Sequence, residues 1–427
     1  MNLQNDERSL DEQSATPDLT GRQRVLFVAW DGPGLTYLET LFVPIFARLS
    51  ERGYAFDVLQ FRWGEQGEEE SARAACRAAG IGYRRIKVRR LAGGAGPMTT
   101  ALAGGRHVEH AARASGSSLI MPRSTLPAVA CITGRIARGW PLVFDADGLE
   151  VDERVEFDGL NQHGLAYRFL RDSEQRMVRT AAATLTRTPA ASSILAARAG
   201  PGTTPEQFFV VANGRDPNQF KLFDAQARMA VRAQMGIPQD APLIVYIGGT
   251  GHKYDTPAIG ELTDALRELR PEARLLVMTG APDKASAELR LAENSELAAC
   301  TTIMRVRPED APRYLAAADV GTAFSRESFS IQGVSPIKVG EYLLCGVPVI
   351  GTACVGNNAE AVERGVYLNE RSDMRRAARW IVDTVLAQRD NMREAARNCG
   401  VENYSLDRSV ADYKRALDYA TYIRTRR

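Results

Sequence analysis

The stretch SPIKVGEYLLCGVPVIGT, residues 335–352, joins an amphipathic helical pattern to a short apolar strand pattern. Ser335 and Pro336 are predicted to begin the helix, because serine is a good N-cap and proline suits the first helical position. Gly346 is predicted to end the helix, and residues 347–350 then have the character of a buried strand. A helix followed at once by a buried strand is typical of a parallel α/β sheet.

Two charged residues lie near the start of this predicted helix. The free amides of a helix N-terminus favour a phosphate, and Lys338 in the first turn adds a full positive charge. Glu341 follows on the same side, where its carboxylate can accept hydrogen bonds from a ribose diol. The predicted contacts of a nucleotide diphosphate are therefore Ser335, Pro336, Lys338 and Glu341. The alternative is an ordinary capped helix whose surface i,i+3 pair is worth only about 0.2–0.5 kcal/mol.

Strand patterns alternate with helical patterns in two successive series. The predicted strands lie at 24–30, 54–61, 83–90, 118–123, 141–147, 183–188 and 208–214 in the first series, and at 242–249, 273–280, 301–306, 320–326 and 347–352 in the second. This alternation predicts parallel sheets covered by helices. We predict two doubly wound, Rossmann-like α/β domains that face each other across a cleft, with ligands beyond the carboxyl ends of the strands.

The break between the two series falls at about 215–240. The predicted organisation is a disordered leader at 1–21, an N-terminal domain at 22–215, a C-terminal domain at 216–400, and a helix at 401–427 that packs back toward the N-terminal domain. Long helical patterns at 99–114 and 285–296 each predict one helix. Pro44 predicts a kink in the helical pattern at 35–52.

A glycine-rich loop follows the first strand of the second series. Glycines let backbone amides approach a pyrophosphate closely, so Gly248, Gly249 and Lys253 are predicted to contact the phosphates. The alternative is a tight turn between strand and helix. A second glycine-rich loop, DGPG at 31–34, makes Gly34 a candidate contact for a distal phosphate or sugar, or part of a turn. It lacks the third glycine of a dinucleotide GxGxxG, which disfavours an oxidoreductase.

Arg123, Asp145 and Asp147 follow or end predicted strands, the usual place for active-site groups. We predict that these three residues bind an acceptor, and that Arg123 and Asp145 act in catalysis together with Lys253 and Lys338. The alternatives are turn or capping roles for the aspartates, and a buried ion pair between Arg123 and one of them.

Residues 335–350 resemble the donor-site pattern of the retaining glycosyltransferases of family 4, approximately SPxKxxEYxxxGxPVI. Other segments resembling that family are VAWDGPG at 28–34, MPRS at 121–124, FDADGLEVDERV at 144–155, VVANGRDPNQF at 210–220, YIGGTGHKYD at 246–255 and CVGNNAEAVERGV at 354–366. The resemblance implies the GT-B fold, a nucleotide-sugar donor held by the C-terminal domain, and an acceptor held by the N-terminal domain. It also implies hexosyl transfer with retention, without a metal or further cofactor, most often in surface polysaccharide synthesis.

The chain departs from that pattern at two places. Many members carry a Glu-x7-Glu pair whose first glutamate, usually near the donor sugar, would fall at Gly333 here. Many members also have a histidine on the N-terminal side of the cleft, where Arg123 or Asp145 lies in this sequence. The resemblance therefore places Gly333 at the donor site but leaves the donor sugar and the acceptor open.

Composition restricts the partners. The chain has 427 residues, a net charge of +2 and no apolar run of the ~20 residues a membrane span needs, so nucleic acid and a spanning segment are not expected. The predicted partners are a nucleotide sugar and a carbohydrate, lipid-linked or small-molecule acceptor. The cysteines show no metal-ligand spacing and are expected to be buried free thiols in the cytoplasm; they are Cys76, Cys131, Cys300, Cys345, Cys354 and Cys399.

A basic run with no acidic residue includes Arg84, Arg85, Lys87, Arg89 and Arg90. It indicates either peripheral contact with anionic lipid at the inner membrane face or an edge strand protected by charge.

Two other functions remain open. A nucleotide-sugar 2-epimerase would use the same donor half, but it needs carboxylates at the sugar, and Gly333 offers none. A non-catalytic partner of an active transferase would also tolerate Gly333. Incubation of the donor alone separates the first of these from a transferase, because only an epimerase isomerises the donor without an acceptor.

Overall fold

The computed structural model of the protein describes residues 21–32, 37–63, 66–88, 95–353 and 355–426. The chain divides into two compact units, residues 1–142 and residues 143–427. The predicted domain boundary at 215 lies inside the second unit and stays a prediction.

The first unit is built on a parallel four-stranded sheet. Its strands are β1 (Gln23–Asp31), β2 (Tyr54–Arg62), β3 (Gly82–Lys87) and β4 (Leu119–Pro122), in the order β3-β2-β1-β4. Its helices are α1 (Val43–Ser50), α2 (Gln66–Ala78), α3 (Ala95–Ala103), α4 (Gly105–Ser115) and α5 (Thr125–Thr133). Because all strands run in parallel, their carboxyl ends lie at one edge of the sheet, where Asp31, Arg62 and Arg123 are found.

The chain before Pro44 forms a π-helical turn at Leu38–Phe42, which passes directly into α1. The N–H of Val43 donates to the carbonyl of Leu38, five residues earlier. Proline has no N–H to donate in the ordinary i→i−4 hydrogen-bond pattern of an α-helix. The change of helix geometry next to Pro44 is therefore explained by this missing donor. A kink was predicted at Pro44, and the structure has a π-helical turn that ends two residues before it.

Strand β3 lies at an edge of the sheet, which favours the edge-strand explanation of the basic run. Arg85 on this strand forms an ion pair with Glu69 of α2. Arg89 and Arg90 lie outside the described residues.

The second unit contains two parallel sheets. The smaller has β5 (Val143–Asp147), β6 (Ala183–Thr186) and β7 (Phe208–Val210) in that order. The larger has β8 (Leu243–Ile247), β9 (Arg274–Met278), β10 (Thr301–Met304), β11 (Val320–Ala323), β12 (Val349–Gly351) and β13 (Tyr367–Asn369), in the order β10-β9-β8-β11-β12-β13. Counted within the larger sheet, the order is 3-2-1-4-5-6, which is the Rossmann order.

The helices of the second unit follow the strands. They are α6 (Glu150–Phe157), α7 (Leu165–Thr180), α8 (Pro189–Ala199), α9 (Ala225–Gln234), α10 (Thr256–Leu269), α11 (Pro282–Glu288), α12 (Ser295–Cys300), α13 (Ala311–Leu315), α14 (Ile337–Leu344), α15 (Ala359–Glu363), α16 (Met374–Trp380), α17 (Arg389–Tyr404) and α18 (Leu406–Arg426). A π-helical segment, Ile381–Leu386, continues α16. Helix α18 packs against the three-stranded sheet.

Alternate residues of β8 enter two different cores. Leu243 and Val245 pack in one cluster with Val339 of α14, whereas Ile244 packs on the other side with Ile259 of α10. Helices therefore cover both faces of the six-stranded sheet. The prediction of a doubly wound α/β structure is confirmed for this sheet.

Two helix predictions were too long. The pattern at 99–114 belongs to two helices, α3 and α4, which meet at Gly104 and Gly105. A Cβ on Gly105 would lie 2.5 Å from the Cα of Gly134, so the close approach of the two backbones requires glycine at position 105. The pattern at 285–296 belongs to α11 and α12. The short strand β13 was not predicted.

The thiols of Cys76, Cys131, Cys300, Cys345 and Cys399 are buried and free, as predicted, and Cys354 lies outside the described residues. Among the helices that the structure describes, none is both long enough and apolar enough to cross a membrane.

Candidate donor-binding site

The loop after β8 brings the backbone close to a lysine. Gly248 has φ +129° and Gly251 has φ +138°, conformations that side chains other than glycine rarely adopt. A Cβ on Gly248 would lie 3.2 Å from Nζ of Lys338. Gly249 follows, and its carbonyl accepts a hydrogen bond from the hydroxyl of Tyr246. Gly248 therefore borders the predicted lysine, whereas Gly249 lies against Tyr246 and Tyr254.

Lys338 is buried at the start of α14, with only 9% of its surface exposed. Its Nζ lies 3.9 Å from the ring centre of Tyr246 and 4.6 Å from that of Tyr254, so the ammonium contacts two aromatic faces. Among the described residues, no carboxylate oxygen lies within 4.0 Å of this nitrogen. Burial lowers the pKa of Lys338 to about 7, although the charge of Glu341 acts in the opposite direction.

Glu341 is also buried, and its partner is an arginine that the sequence did not predict. Its Oε1 lies 3.0 Å from Nε of Arg215, whose guanidinium stacks over Phe220 with 4.8 Å between the groups. Burial raises the pKa of Glu341, against the nearby charges of Arg215 and Lys338. The alternative of an exposed Lys338–Glu341 surface pair is wrong, because both side chains are enclosed.

Helix α14 begins one residue later than predicted, and without a serine cap. The N-cap is Pro336, with φ −65° and ψ 128°, and no side chain caps the helix. Instead the carbonyl of Ser335 accepts a hydrogen bond of 2.8 Å from Nδ2 of Asn213. Asn213 and Arg215 both belong to the NGRD stretch at 213–216, which the sequence marked as a segment but not as a source of site residues.

Lys253 is held by a carboxylate of α6. Its Nζ donates to Oε2 of Glu153 over 2.7 Å, and both side chains are partly exposed. Burial opposes the charged form of Lys253, but the ion pair with Glu153 outweighs it and raises the pKa of the lysine. Burial also raises the pKa of Glu153. The prediction named Lys253 but did not foresee this partner.

Gly333 lies against the backbone that follows β5. A Cβ at position 333 would be 2.9 Å from the backbone N of Leu149, and a Cβ on Gly148 would be 3.1 Å from the carbonyl oxygen of Gly333. Next to it, Thr188 donates to the carbonyl of Gln332. A glutamate at position 333 therefore needs a different arrangement of this backbone, which gives the departure from the family pattern a steric reason.

Asp145 is fully buried, and its carboxylate contacts other protein groups. Its Oδ2 accepts from Arg187 at 2.9 Å and from the hydroxyl of Tyr413 at 3.3 Å, and its Oδ1 accepts from the N–H of Asp147. Burial disfavours the charge of Arg187, but Asp145 outweighs this and raises its pKa. This geometry favours the turn role for Asp145, and its acceptor and catalytic roles stay predictions.

Asp147 is the more accessible of the two aspartates. Its side chain is 42% exposed, and Oδ1 lies 3.3 Å from Nε of Arg187. Its φ of +62° is uncommon for a residue other than glycine, although aspartate tolerates it best. Contact with an acceptor stays a prediction for Asp147 too.

Arg123 belongs to the first unit, where its guanidinium stacks over Phe42 at 4.6 Å. Beside it, burial raises the pKa of Asp31, against the hydrogen bond from Gln60 and the charge of Arg123. The acceptor and catalytic roles of Arg123 stay predictions. Gly34 lies outside the described residues.

Metal ligands are not concentrated anywhere in the described ranges, which contain no group of three or more histidine, cysteine, aspartate or glutamate side chains able to hold an ion.

Solved structures define the class to which this fold belongs. Anabaena HepE in complex with UDP superposes with a TM-score of 0.69 at 17% identity, over 93% of this chain and 100% of HepE. WaaG, a glycosyltransferase involved in lipopolysaccharide biosynthesis, superposes with a TM-score of 0.65 at 19% identity, over 91% of this chain and 99% of WaaG. The protein has the GT-B fold, as predicted.

Sequence comparison finds a family match over the part of the chain that forms the six-stranded sheet. Residues 241–385 match the family Glycosyl transferases group 1. D-inositol 3-phosphate glycosyltransferase from Xylanimonas cellulosilytica is 32% identical over 163 residues, which are 36% of this chain and 37% of that relative. The match thus spans little more than a third of the relative.

Proposed function

We propose that the protein transfers a hexosyl group from a nucleotide-diphosphate sugar to an acceptor hydroxyl with retention, as a transferase similar to family 4. One observation carries the proposal. The buried ammonium of Lys338, at the start of α14, has no carboxylate oxygen within 4.0 Å among the described residues, and it borders Gly248 in the loop after β8. A buried cation is unfavourable without an anionic partner. A diphosphate is an anion of the right kind for this place, because the amides at the start of α14 favour it as well.

The same groups suit the chemistry of a leaving diphosphate. Negative charge builds on the diphosphate as the sugar bond breaks, so a cation that is already in place lowers the barrier. Lys338 is the central cation in this proposal and Lys253 the second. Glu341 is the proposed acceptor of hydrogen bonds from the ribose, and Arg215 holds its carboxylate in a fixed orientation. The side chains of Tyr246 and Tyr254 exclude water from one side of Lys338.

A UDP-sugar is the first donor to test. HepE, which shares the fold, has been solved with UDP and also with UDP-glucose. The acceptor is proposed to be a carbohydrate, a lipid-linked sugar or a small molecule, in surface polysaccharide or glycoconjugate synthesis. Action in the cytoplasm, with peripheral contact at the inner membrane face, belongs to the same proposal.

Thermal unfolding with UDP, GDP, ADP, TDP and CDP tests the donor site. A nucleotide present at 100 times its Kd should stabilise the protein by about 2.7 kcal/mol. If all five leave the Tm unchanged, the proposal is refuted.

Turnover tests the role of Lys338. Lys338→Ala should lower kcat more than about tenfold, equivalent to about 1.4 kcal/mol of transition-state stabilisation. Lys221→Ala is the matched control, because Lys221 also lies over an aromatic ring but is exposed. A loss of less than tenfold contradicts the leaving-group role. Donor incubated without acceptor checks the alternative, since an isomerised nucleotide sugar would indicate an epimerase.

A further inference from the structure

Helix α6 presents carboxylates to the loops that carry the proposed donor site. It follows β5 directly, and the backbone before it lies against Gly333, as described above. Two of its side chains, Glu153 and Glu156, contact groups of the chain that are positive or donate hydrogen bonds. We refer to Glu153 and Glu156 as the α6 acidic pair.

Glu153 contacts the second proposed phosphate cation. Its Oε2 lies 2.7 Å from Nζ of Lys253. Its Oε1 lies near the Gly148–Gly333 contact, 3.4 Å from the place that a Cβ on Gly148 would take. The carboxylate therefore lies between the lysine loop after β8 and the loop that precedes α14.

Glu156 contacts backbone donors of that second loop. One carboxylate oxygen accepts from the N–H of Phe329 at 2.7 Å, and the other accepts from the N–H of Ser330 at 3.1 Å. Two adjacent amides converging on one carboxylate are an anion-binding arrangement. The α6 acidic pair thus supplies anions to a lysine and to two backbone amides at the same time.

A diphosphate bound at Lys253 would make the contact between Glu153 and Lys253 unfavourable. A phosphate beside Lys253 would place like charges next to Glu153, which repel strongly at short range in a partly buried site. Although the ammonium has three N–H donors, a phosphate oxygen bound to it would lie beside Oε2 of Glu153, and the two negative groups would repel each other.

We propose that Glu153 of the α6 acidic pair is an internal competitor of the donor diphosphate. Glu153 binds Lys253 until the diphosphate takes the place of Glu153 at that lysine. Glu156 holds α6 against the loop at 329–333, so that Glu153 stays within reach of Lys253. The proposal rests on the proposed function for its ligand. Donor binding then costs the energy of breaking the Glu153–Lys253 pair, so the pair sets the affinity for the nucleotide and disfavours weakly anionic ligands.

The test compares two substitutions that remove the same charge from the same helix. Glu153→Gln removes the competing carboxylate, whereas the control Glu150→Gln lies one turn earlier, where Glu150 pairs with Arg154 of α6 itself. The full-length protein is titrated with UDP and with inorganic pyrophosphate by calorimetry, after the Tm of each variant has been compared with that of the wild type. We expect Glu153→Gln to bind both probes about tenfold more tightly, equivalent to about 1.4 kcal/mol, and Glu150→Gln to stay within twofold of the wild type.

Each outcome decides one of the two proposals. The competition is overturned if Glu153→Gln binds the probes with the same affinity as the wild type. It is also overturned if Glu150→Gln gains as much affinity as Glu153→Gln. Weaker binding by Glu153→Gln overturns it too, because Glu153 then orients Lys253 for the ligand. If UDP fails to bind but pyrophosphate shows the tenfold gain, the competition holds and the nucleotide-sugar function fails. If Glu153→Gln does not fold, Glu153→Asp serves instead: it keeps the charge but shortens the reach toward Lys253, so both probes should still bind more tightly, and unchanged affinity overturns the competition.

Discussion

We predict that Lys338 takes up a proton when the nucleotide binds. With a pKa of about 7, only about one in ten Lys338 side chains is charged at pH 8 in the free protein. A phosphate charge at about 4 Å attracts the ammonium by about 4 kcal/mol at an effective dielectric constant of 20. Since one pKa unit corresponds to about 1.36 kcal/mol, the bound nucleotide should raise the pKa by about three units. Binding at pH 8 should therefore take up about 0.9 proton.

Calorimetry in buffers with different ionisation enthalpies measures this uptake directly. The nucleotide itself contributes little at pH 8, because its terminal phosphate has a pKa near 6. The matched variant is Lys338→Arg, whose guanidinium stays charged throughout this range and should show no uptake. Uptake below about 0.2 proton in the wild type, or equal uptake in both proteins, would refute the reasoning.

The lowered pKa of Lys338 also makes the free energy of unfolding depend on pH when no ligand is bound. Unfolded lysine keeps its proton up to about pH 10.4, whereas buried Lys338 loses it at about 7, so the unfolded state binds more protons in this window. The contribution of Lys338 to the free energy of unfolding should therefore rise with pH between about 7 and 10. Lys338→Met should be more stable than the wild type near pH 7, by at most about 4 kcal/mol, and the difference should shrink toward pH 10. Denaturant titrations measure the free energy of unfolding of both proteins. If their difference stays constant between about pH 7 and 10, the pKa of Lys338 is not lowered by burial.

Three further substitutions test other parts of the site. Gly248→Ala should lose nucleotide binding and destabilise the fold by about 1–3 kcal/mol, because its φ of +129° suits glycine alone. Gly333→Glu, which restores the carboxylate of the family pattern, should lower the stability by at least about 2 kcal/mol and gain no activity, while Gly139→Glu, where a Cβ meets nothing within 4 Å, should be almost neutral. Asp145→Asn should cost about 3–5 kcal/mol, because it leaves the buried charge of Arg187 without its main partner.

Melting curves and turnover of the purified variants check these three together. A stable Gly333→Glu protein would show that the backbone contact at this position yields easily. An Asp145→Asn protein with an unchanged Tm but a much lower kcat would support the acceptor role over the structural one.

Local sequence determined several elements of the second unit and the residue types at the proposed donor site. Gly346 ends α14 with φ +73°, where the glycine predicted the end of the helix, and the apolar run after it forms β12. Of the glycines after β8, Gly248 and Gly251 have positive φ angles, which glycine adopts readily. These features depend on interactions between residues a few positions apart, which a single sequence records well.

The tertiary structure decided which charges are paired. Lys253 and Glu153 are 100 positions apart. Arg215 and Glu341 come together because the connection at 213–216 contacts the start of α14. Nothing in the local pattern around Lys338 indicates that two tyrosine rings, rather than Glu341, surround its ammonium. Burial and pairing arise from the packing of distant segments, so the sequence alone could name the charged residues of the site but not assign their partners.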